Sequence, residues 1–341
     1  MTTMGGNRRV LVAGGAGFIG SHTCVALIER GLEPVIVDTF ENSHPWIVDR
    51  IENLSGHRPE TYEVDVRDTE AITDILGRSI ESVIHFAAFK AVGESVAEPL
   101  KYYDLNITGT VSLLRAMQSV GLRTLVFSGS CSIFGDTDRV PIPETAPLRP
   151  ANPYAQTKAM CEQILTDHCA TSDLSATSLR YFNPIGAHPS GELGEDPLGI
   201  PPNILPFIMQ VATGHQTALK VYGDDYPTPD GTCIRDYIHV VDVARAHVRA
   251  LEVHRGKAGF RALNLGTGVG TSVFELIEEV RRVTGHPIPV QIEPRRPGDV
   301  PTLVADPTRA ESDLGWRCEH DLDAMVRHAW TYRRTFIDAI A

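Results

Sequence analysis

Short apolar runs alternate with segments of helical periodicity through the first half of the chain. The apolar runs cover residues 9–13, 34–38, 61–66, 82–88, 124–130 and 176–182, and the longest helical segments cover residues 100–120 and 152–171. No Asn-Gly type of turn joins successive runs, which favours a parallel sheet over hairpins. We therefore predict an α/β protein with a doubly wound parallel sheet and helices on both faces.

The pattern changes after residue 183. Residues 187–206 are rich in proline and glycine, and the elements that follow are shorter and mixed. This change predicts two parts, residues 1–183 and a smaller mixed α/β lobe at 184–341. The apolar run at 262–266 resembles a buried strand, so we expect a segment near 235–268 to return to the first part.

A glycine-rich loop follows the first predicted strand. It reads Gly14-x-x-Gly17-Phe18-Ile19-Gly20 and opens a helical segment. Strand, glycine turn and helix form the context of a dinucleotide-binding loop, in which glycines admit the pyrophosphate and helix amides bind it. The first part is therefore predicted to be a Rossmann-like nucleotide-binding domain. The alternative is an ordinary tight strand-to-helix turn.

An acid ends the second predicted strand. Asp38 lies 18 residues after Gly20, near the spacing of about 20 expected for the acid that binds the adenosine ribose. A carboxylate accepts from a 2′-hydroxyl and repels a 2′-phosphate, and no Lys or Arg adjoins it. The cofactor is predicted to be NAD rather than NADP. The alternative is that Asp38 is a helix cap or a loop acid.

Three side chains with acid–base chemistry occur in the middle of the chain. Tyr154 and Lys158 are four residues apart, so both lie on one face of the predicted helix. A nearby ammonium favours the phenolate, and we expect Lys158 to lower the pKa of Tyr154 from about 10 towards neutral. Ser130 ends a predicted strand, at the sheet edge where ligands bind. The three are predicted to be catalytic.

Composition excludes several classes of partner. The chain has 341 residues and a net charge of −12, which disfavours nucleic acid and acidic membrane surfaces. The first nine residues are too short and polar for a signal peptide, and no run is long enough to span a membrane. From the cysteine usage we expect a reducing, cytoplasmic compartment.

Cysteine and histidine spacing gives no indication of a metal site. The six cysteines form no C-x-x-C pair, and two are expected in the core. We assign no role to Cys131, which adjoins Ser130. His188 and His239 lack partners at ligand spacing, so no metal is expected.

Longer stretches of sequence resemble the extended short-chain dehydrogenase/reductase superfamily, and within it the UDP-sugar 4-epimerases. The similarity runs from about residue 9 to the C-terminal helices, and its most specific stretches are residues 14–23, 85–95, 180–191, 223–232 and 234–240. Four positions depart mildly from the family pattern: Phe18 and Phe134 replace tyrosines, Gly129 replaces a serine and Ala155 replaces a glycine. No departure removes a catalytic group, although Phe134 removes a hydroxyl and so puts small differences in cofactor contact in question.

The resemblance implies the remaining site residues. The implied cofactor-binding residues are Gly14, Gly17, Phe18, Ile19, Gly20, Asp38, Asp65, Val66, Phe86, Ala87, Lys90, Asn106, Ser128, Tyr154, Lys158 and Tyr181. The implied substrate-binding residues are Lys90, Ser130, Tyr154, Asn183, Asn203, Leu219, Tyr222, Arg235, Arg296, Asp299 and Leu303. Two of the substrate residues are arginines, whose guanidinium groups suit a diphosphate in an acidic protein. The alternative for residues 295–296 is a solvated loop pair of arginines.

The resemblance also implies an activity and an assembly. It implies interconversion of UDP-galactose and UDP-glucose through NAD-dependent oxidation at carbon 4, followed by reduction on either face. It further implies a homodimer that pairs the helices at 100–120 and 152–171. The resemblance extends the possible substrates to UDP-N-acetylhexosamines, with Leu303 as the residue that controls access.

Other activities occur within the same superfamily. A 4,6-dehydratase would be expected to have Thr-Asp-Glu at the positions where this chain has Ser130-Cys131-Ser132. This chain therefore lacks the two acids that elimination of water requires. A decarboxylating relative would likewise be expected to have Glu at position 132. A UDP-pentose 4-epimerase stays open because its UDP contacts would be the same. A non-catalytic NAD-sensing regulator would be expected to lose the Tyr/Lys pair, which is present here.

Overall fold

The computed structural model describes residues 8–337 apart from 200, 202 and 297. Its strands, in chain order, are β1 (Arg8–Ala13), β2 (Leu32–Asp38), β3 (Glu60–Glu63), β4 (Ile80–His85), β5 (Thr124–Ser130), β6 (Ser175–Tyr181), β7 (Asn183–Ile185), β8 (Leu219–Tyr222), β9 (Ile234–Arg235), β10 (Tyr237–His239), β11 (Gly259–Leu265), β12 (Thr271–Ser272), β13 (Val290–Glu293) and β14 (Thr302–Leu303). The helices are α1 (Phe18–Glu29), α2 (Ile47–Ser55), α3 (Thr69–Leu76), α4 (Val92–Ala97), α5 (Pro99–Tyr102), α6 (Gly109–Ser119), α7 (Pro153–Ala170), α8 (Ile204–Ala212), α9 (Val240–His254), α10 (Val273–Thr284), α11 (Thr308–Leu314) and α12 (Leu322–Tyr332). A π-helical turn, Tyr103–Thr108, joins α5 to α6.

Seven parallel strands form the central sheet, in the order β11-β6-β5-β4-β1-β2-β3. Alternate residues of each strand face opposite sides. In β1, Val10 and Val12 pack into the cluster under α1, α2 and α9, whereas Leu11 packs into the cluster under α3, α6 and α7. The apolar runs are therefore buried on both faces, and the predicted doubly wound parallel sheet is confirmed.

The edge strand β11 comes from the second half of the chain. It pairs in parallel with β6 along its whole length, from Gly259 opposite Ser175 to Leu265 opposite Tyr181. The preceding helix, α9, packs on α1 of the first half. Residues of the second half thus complete the central sheet, while the boundary at residue 183 stays a prediction.

The rest of the second half forms a smaller lobe with its own core. Helices α8, α10 and α12 pack against the two-stranded sheet β13-β8, and buried residues such as Ile208, Leu276 and Val326 fill the space between them. Residues of the same half also form a three-stranded sheet, β12-β9-β14. It carries Arg235 and Leu303 opposite each other. Among the described residues, no helix has the length and hydrophobicity to cross a membrane.

Candidate active site

A cleft of about 450 Å³ opens between the carboxyl ends of the central strands and the smaller lobe. Parallel sheets bind their ligands at this edge. Most of the residues singled out from the sequence line it: Gly14, Gly17, Phe18, Ile19, Gly20, Asp38, Asp65, Val66, Phe86, Ala87, Lys90, Ser128, Ser130, Tyr154, Lys158, Tyr181, Asn183, Asn203, Arg235, Asp299 and Leu303. One continuous space therefore connects the glycine loop with the smaller lobe.

Close backbone packing explains the glycines of the loop. Gly14 has φ of +79°, and a Cβ there would lie 2.7 Å from the backbone nitrogen of Ala87. A Cβ on Gly20 would lie 2.2 Å from the carbonyl oxygen of Gly14. Gly17 caps α1 with no side-chain hydrogen bond, so the first amides of α1 face the cleft. A helix N-terminus in this state is suited to bind a phosphate.

Asp38 ends β2 and holds the neighbouring loops together. Its carboxylate accepts hydrogen bonds from the amides of Ala16 (3.0 Å) and Phe40 (2.9 Å) and from the Ser43 hydroxyl (3.2 Å). Burial raises the pKa of Asp38, and these hydrogen bonds oppose the rise. The acid thus lies at the cleft with an ordered position, as ribose recognition requires.

The end of β5 and the start of α7 place the catalytic candidates. The Asn152 side chain accepts from the Ala155 amide at 2.9 Å and caps α7, so Tyr154 lies in its first turn. Ser130 is the last residue of β5, and its hydroxyl lies 2.9 Å from that of Ser132. Lys158 is 4 % exposed and donates to the Ser128 carbonyl at 2.8 Å. The three side chains line the same part of the cleft.

The pKa of Tyr154 differs from the expectation. Burial raises it to about 12, and a hydrogen bond with Ser130 opposes the rise. Burial lowers the pKa of Lys158 to about 8, with Cys161 and Glu162 opposing that shift. Desolvation therefore sets the direction of the pKa shift of Tyr154, and the Lys158 ammonium is directed to the Ser128 backbone carbonyl. The predicted lowering of the pKa of Tyr154 was therefore wrong.

Tyr181 ends β6 beside these catalytic candidates. Its hydroxyl forms a short hydrogen bond with the Ser128 hydroxyl, and burial raises its pKa. Lys158 lies over the Phe127 ring with its Nζ 4.9 Å from the centroid. Adjacent strands thus supply a rigid floor to this part of the cleft.

Arg235 and Asp299 face each other at the smaller-lobe end. Their nearest charged atoms are 3.8 Å apart, and Arg235 also donates to the Val300 carbonyl at 2.9 Å. Asn183 begins β7 on the same wall, and its Oδ1 is buried without a hydrogen-bond partner among the described residues. The guanidinium suits an anionic group, whereas the unpaired amide oxygen can accept a hydrogen bond from a ligand hydroxyl or N–H.

The structure places four candidates away from the cleft wall. Asn106 is buried behind the cleft, where its amide bonds the backbone of Phe89 and the Thr157 hydroxyl. Leu219 packs in the core of the smaller lobe. Arg296 and Tyr222 stack on each other outside the cleft lining, with the guanidinium carbon 4.2 Å from the ring centroid. The predicted ligand contacts of these four stay predictions.

Glu195 is a cleft residue that the sequence motifs did not indicate. Its carboxylate accepts from Lys90 Nζ at 3.2 Å and from Asn203 Nδ2 at 2.5 Å, so it links two residues that were singled out. Its second oxygen, Oε2, is buried with no hydrogen-bond partner in the described part of the chain. Glu195 lies in an irregular segment where periodicity gives no signal. Asp196 and Ser43 were missed for the same reason.

Sequence comparison gives close relatives over nearly the whole chain. The model of the family described as GDP-mannose 4,6 dehydratase matches residues 11–329. The UDP-glucose 4-epimerase of Bacillus subtilis is 48% identical over 331 residues, which cover 96% of this chain and 98% of that protein.

Solved structures are similar to the same extent. UDP-glucose 4-epimerase from Stenotrophomonas maltophila, with bound NAD and formylated UDP-arabinopyranose, has a TM-score of 0.95 and 47% identity, covering 98% of this chain and 100% of that one. The UDP-glucose 4-epimerase from Bifidobacterium longum, in complex with NAD⁺ and UDP, has a TM-score of 0.94 and 44% identity. The match covers 97% of this chain and 99% of that one.

Proposed function

Because the chain belongs to the UDP-glucose 4-epimerase family of the short-chain dehydrogenase/reductase superfamily, we propose that it interconverts UDP-galactose and UDP-glucose with bound NAD. One observation carries the proposal. The hydroxyls of Ser130 and Tyr154 and the ammonium of Lys158 share a cleft whose one end suits a dinucleotide and whose other end carries Arg235.

The residues present fit NAD. The uncapped N-terminus of α1 suits the pyrophosphate, and the close packing at Gly14 and Gly20 leaves room only for backbone there. The Asp38 carboxylate is placed to accept from an adenosine 2′-hydroxyl and to repel a 2′-phosphate. When bound, NAD supplies a hydride acceptor for carbon 4 of the sugar and a hydride donor for the return step.

Tyr154 moves the proton. Its phenolate takes the proton of the 4-hydroxyl as carbon 4 is oxidised, and its phenol returns the proton on reduction. The Ser130 hydroxyl stabilises the phenolate, since a hydrogen bond from it lowers the pKa of Tyr154. Lys158 adds a positive charge held by the Ser128 carbonyl. Because burial raises the pKa of Tyr154, the positive charges of Lys158 and of a bound nicotinamide would favour its phenolate.

The smaller-lobe end holds the nucleotide. Arg235 supplies bidentate donors for a diphosphate, and Asn183 and Asn203 add amide groups near it. Asp299 is placed to accept from a ribose hydroxyl. Firm contacts to UDP combined with few contacts to the hexose allow the keto sugar to present either face, which epimerisation requires.

Elimination chemistry is not supported. Although the matching family model is described as a dehydratase, Cys131 and Ser132 occupy the positions where a dehydratase has acids. Burial raises the pKa of Cys131 to about 12, so the thiol is neutral and does not replace a carboxylate.

UDP-pentoses and UDP-N-acetylhexosamines are proposed as secondary substrates. The Stenotrophomonas enzyme was crystallised with a formylated UDP-arabinopyranose, so a similar cleft holds a pentose derivative. Leu303 lines the same cleft as the catalytic residues, and its side chain is smaller than a tyrosine. This leaves space beside the sugar for a larger substituent.

We further propose that the enzyme is a cytoplasmic homodimer. All six cysteines are free, which suits a reducing compartment. Large apolar side chains on α4, α5 and α7 are exposed in the single chain, notably Val96, Leu100 and Met160. Such a patch suits burial against a second copy.

Turnover of UDP-galactose without added reductant tests the activity. The purified protein is incubated with UDP-galactose, and the products are separated by chromatography. UDP-glucose as the product supports the proposal, and a 4-keto-6-deoxy sugar would indicate a dehydratase. If the protein binds NAD but turns over neither UDP-hexoses nor UDP-pentoses, it is a regulator and the proposal is wrong.

A further inference from the structure

Three histidines from distant parts of the chain meet at the junction of β10 and α12. His239 is the last residue of β10, His320 precedes α12 and His328 lies within it. One ring nitrogen of each lies within 4.8 Å of those of the other two. Among the described residues, no other group of three or more His, Cys, Asp or Glu side chains is this close. The group is hereafter called the histidine cluster.

The spacing of the cluster is close to that of a metal centre. His239 Nε2 and His328 Nδ1 are 2.9 Å apart, and the centroids of these two rings are 5.2 Å apart with the ring planes nearly perpendicular. Tetrahedral zinc, with Zn–N bonds of about 2.0–2.1 Å, places its nitrogen ligands about 3.4 Å apart. The rings of His239 and His320 are stacked at 4.1 Å, so His320 must rotate out of the stack before both lone pairs can point at one ion. Its side chain is 20% exposed and has room to do so.

A buried carboxylate orients one of the rings. Asp242 Oδ2 lies 3.1 Å from Nδ1 of His320 and also accepts the amides of Glu319 and His320. A histidine whose Nδ1–H is held by a carboxylate presents its Nε2 lone pair to a ligand, as histidines at metal centres do. Asp242 is fully buried, so this hydrogen bond sets which ring nitrogen of His320 faces the cluster, while the ring itself can still tilt.

His239 requires a change of tautomer. The Val241 amide donates to its Nδ1 at 3.1 Å, so without a metal the ring proton is on Nε2 and is donated to His328. An ion at the centre replaces that shared proton, and the ring proton of His239 moves to Nδ1. The cost is one helix-capping hydrogen bond, which is small beside three metal–imidazole bonds.

The positive groups around the cluster already have acidic partners. Arg245 pairs with Asp242 and Glu319, and Arg327 pairs with Asp323. His22 and His188 interact electrostatically with His239, and burial lowers the pKa of both, so they are neutral near pH 7. The surroundings therefore do not oppose a divalent cation.

We propose that His239, His320 and His328 bind a divalent transition-metal ion of the zinc type, with water in the fourth position. Imidazole nitrogens suit Zn²⁺, Cu²⁺ and Ni²⁺ rather than Mg²⁺ or Ca²⁺. None of the three residues lines the cleft, so the ion is structural. It joins α12 of the smaller lobe to the start of α9, which packs on the central sheet.

Zinc titration of the untagged protein tests the site. The protein is treated with a chelator, dialysed and titrated with ZnCl₂ by calorimetry. We expect one equivalent to bind and the melting temperature to rise. A zinc concentration of about 100 times Kd shifts the unfolding equilibrium roughly 100-fold. MgCl₂ should give no such shift. Absence of saturable binding by the wild-type protein overturns the proposal.

Variants locate the ion. His320→Gln and His328→Gln should each abolish the zinc-dependent rise in melting temperature, whereas His57→Gln, an exposed histidine elsewhere, should keep it. Unchanged zinc binding in both cluster variants would place the ion elsewhere and contradict the proposal. If a variant does not fold, the visible spectrum of Co²⁺ bound to the wild type decides, because nitrogen ligands in a tetrahedral field give intense d–d bands. The cluster variants should epimerise as fast as the wild type. Zinc binding is measured without substrate, so its outcome does not depend on whether the proposed epimerase activity is found.

Discussion

The Lys158 ammonium donates its hydrogen bond to the backbone carbonyl of Ser128, not to the tyrosine one turn before it on α7. The strand β5 therefore sets the position of this charge, and burial keeps its pKa at about 8. The fold holds the Lys158 ammonium in a fixed place, and burying this charge lowers the free energy of unfolding. This effect should be measurable as a pH-dependent change in the free energy of unfolding.

Lys158→Met should change the free energy of unfolding in a way that depends on pH. The folded-state pKa of Lys158 is below its ordinary value of 10.5, so the unfolded chain binds this proton more tightly. Burial of the charged lysine thus costs roughly 3 kcal/mol below pH 8, and the cost disappears as pH rises to about 10.5. The variant loses this cost but leaves the Ser128 carbonyl unpaired, which costs about 1–3 kcal/mol.

We therefore expect Lys158→Met to unfold no more easily than the wild type at pH 7 and more easily at pH 10. Urea denaturation at both pH values measures this, with the exposed Lys257→Met as the control. A difference between variant and wild type that is independent of pH would disprove the buried charge. Activity should be lost at either pH.

Tyr154→Phe should leave the fold and cofactor binding intact and remove turnover. A positioned acid–base group contributes about 10²–10⁴-fold, so we expect at least that loss in kcat. Tyr62→Phe, on the edge strand β3 and outside the cleft lining, is the control for loss of a tyrosine hydroxyl. Activity near that of the wild type in Tyr154→Phe would remove Tyr154 from the mechanism.

Gly14→Ala and Gly121→Ala separate backbone strain from crowding. Both glycines have positive φ, +79° and +73°, and of the two only Gly14 has atoms within 4 Å of the position that a Cβ would occupy. Gly121→Ala should cost about 1–2 kcal/mol of unfolding free energy from conformation alone. Gly14→Ala should cost more, because the added methyl meets the Ala87 backbone, and should also lose NAD. Equal costs in denaturation would show that the loop is not tightly packed.

Leu303→Tyr should narrow the range of substrates. Overpacking a rigid pocket costs about 1–3 kcal/mol, which is a factor of roughly 5 to 150. We expect the wild type to turn over UDP-N-acetylglucosamine more slowly than UDP-glucose, and Leu303→Tyr to lose the former while keeping the latter. Leu303→Met, of similar volume, is the control. If Leu303→Tyr changes both substrates equally, Leu303 does not select between them.

Leu100→Glu should produce monomers. Leu100 is 80% exposed in the single chain, and a charge at its position cannot be buried against a second copy without a large cost. Val269→Glu, at a 63% exposed position of the smaller lobe, is the control. Light scattering at micromolar concentration measures the mass. A wild-type monomer would contradict the proposed homodimer.

Periodicity predicted the central sheet because buried parallel strands and amphipathic helices leave clear local patterns. The run ending in Asp38 and the helix carrying Tyr154 are examples. The π-helical turn at Tyr103–Thr108 left no such pattern, since it replaces one turn of a predicted helix. Local spacing therefore predicts elements better than their irregularities.

The candidate site was predictable where a motif carried it and not where distant segments meet. Glu195 joins Lys90 to Asn203 only through the fold of an irregular loop. His239 meets two histidines more than 80 positions away along the chain, so spacing gave no sign of the cluster. The pKa of Tyr154 depends on desolvation, which a sequence does not record.

The place of β11 has a consequence for how the protein forms during synthesis. Strand β6 is paired on both sides only when Gly259–Leu265 joins it, and α9 must precede that strand to cover α1. A nascent chain that ends before residue 259 exposes an open sheet edge and an uncovered helix face. The ribosome must therefore release most of the polypeptide before the nucleotide-binding half can close, and a fragment cut at residue 183 should aggregate rather than bind NAD.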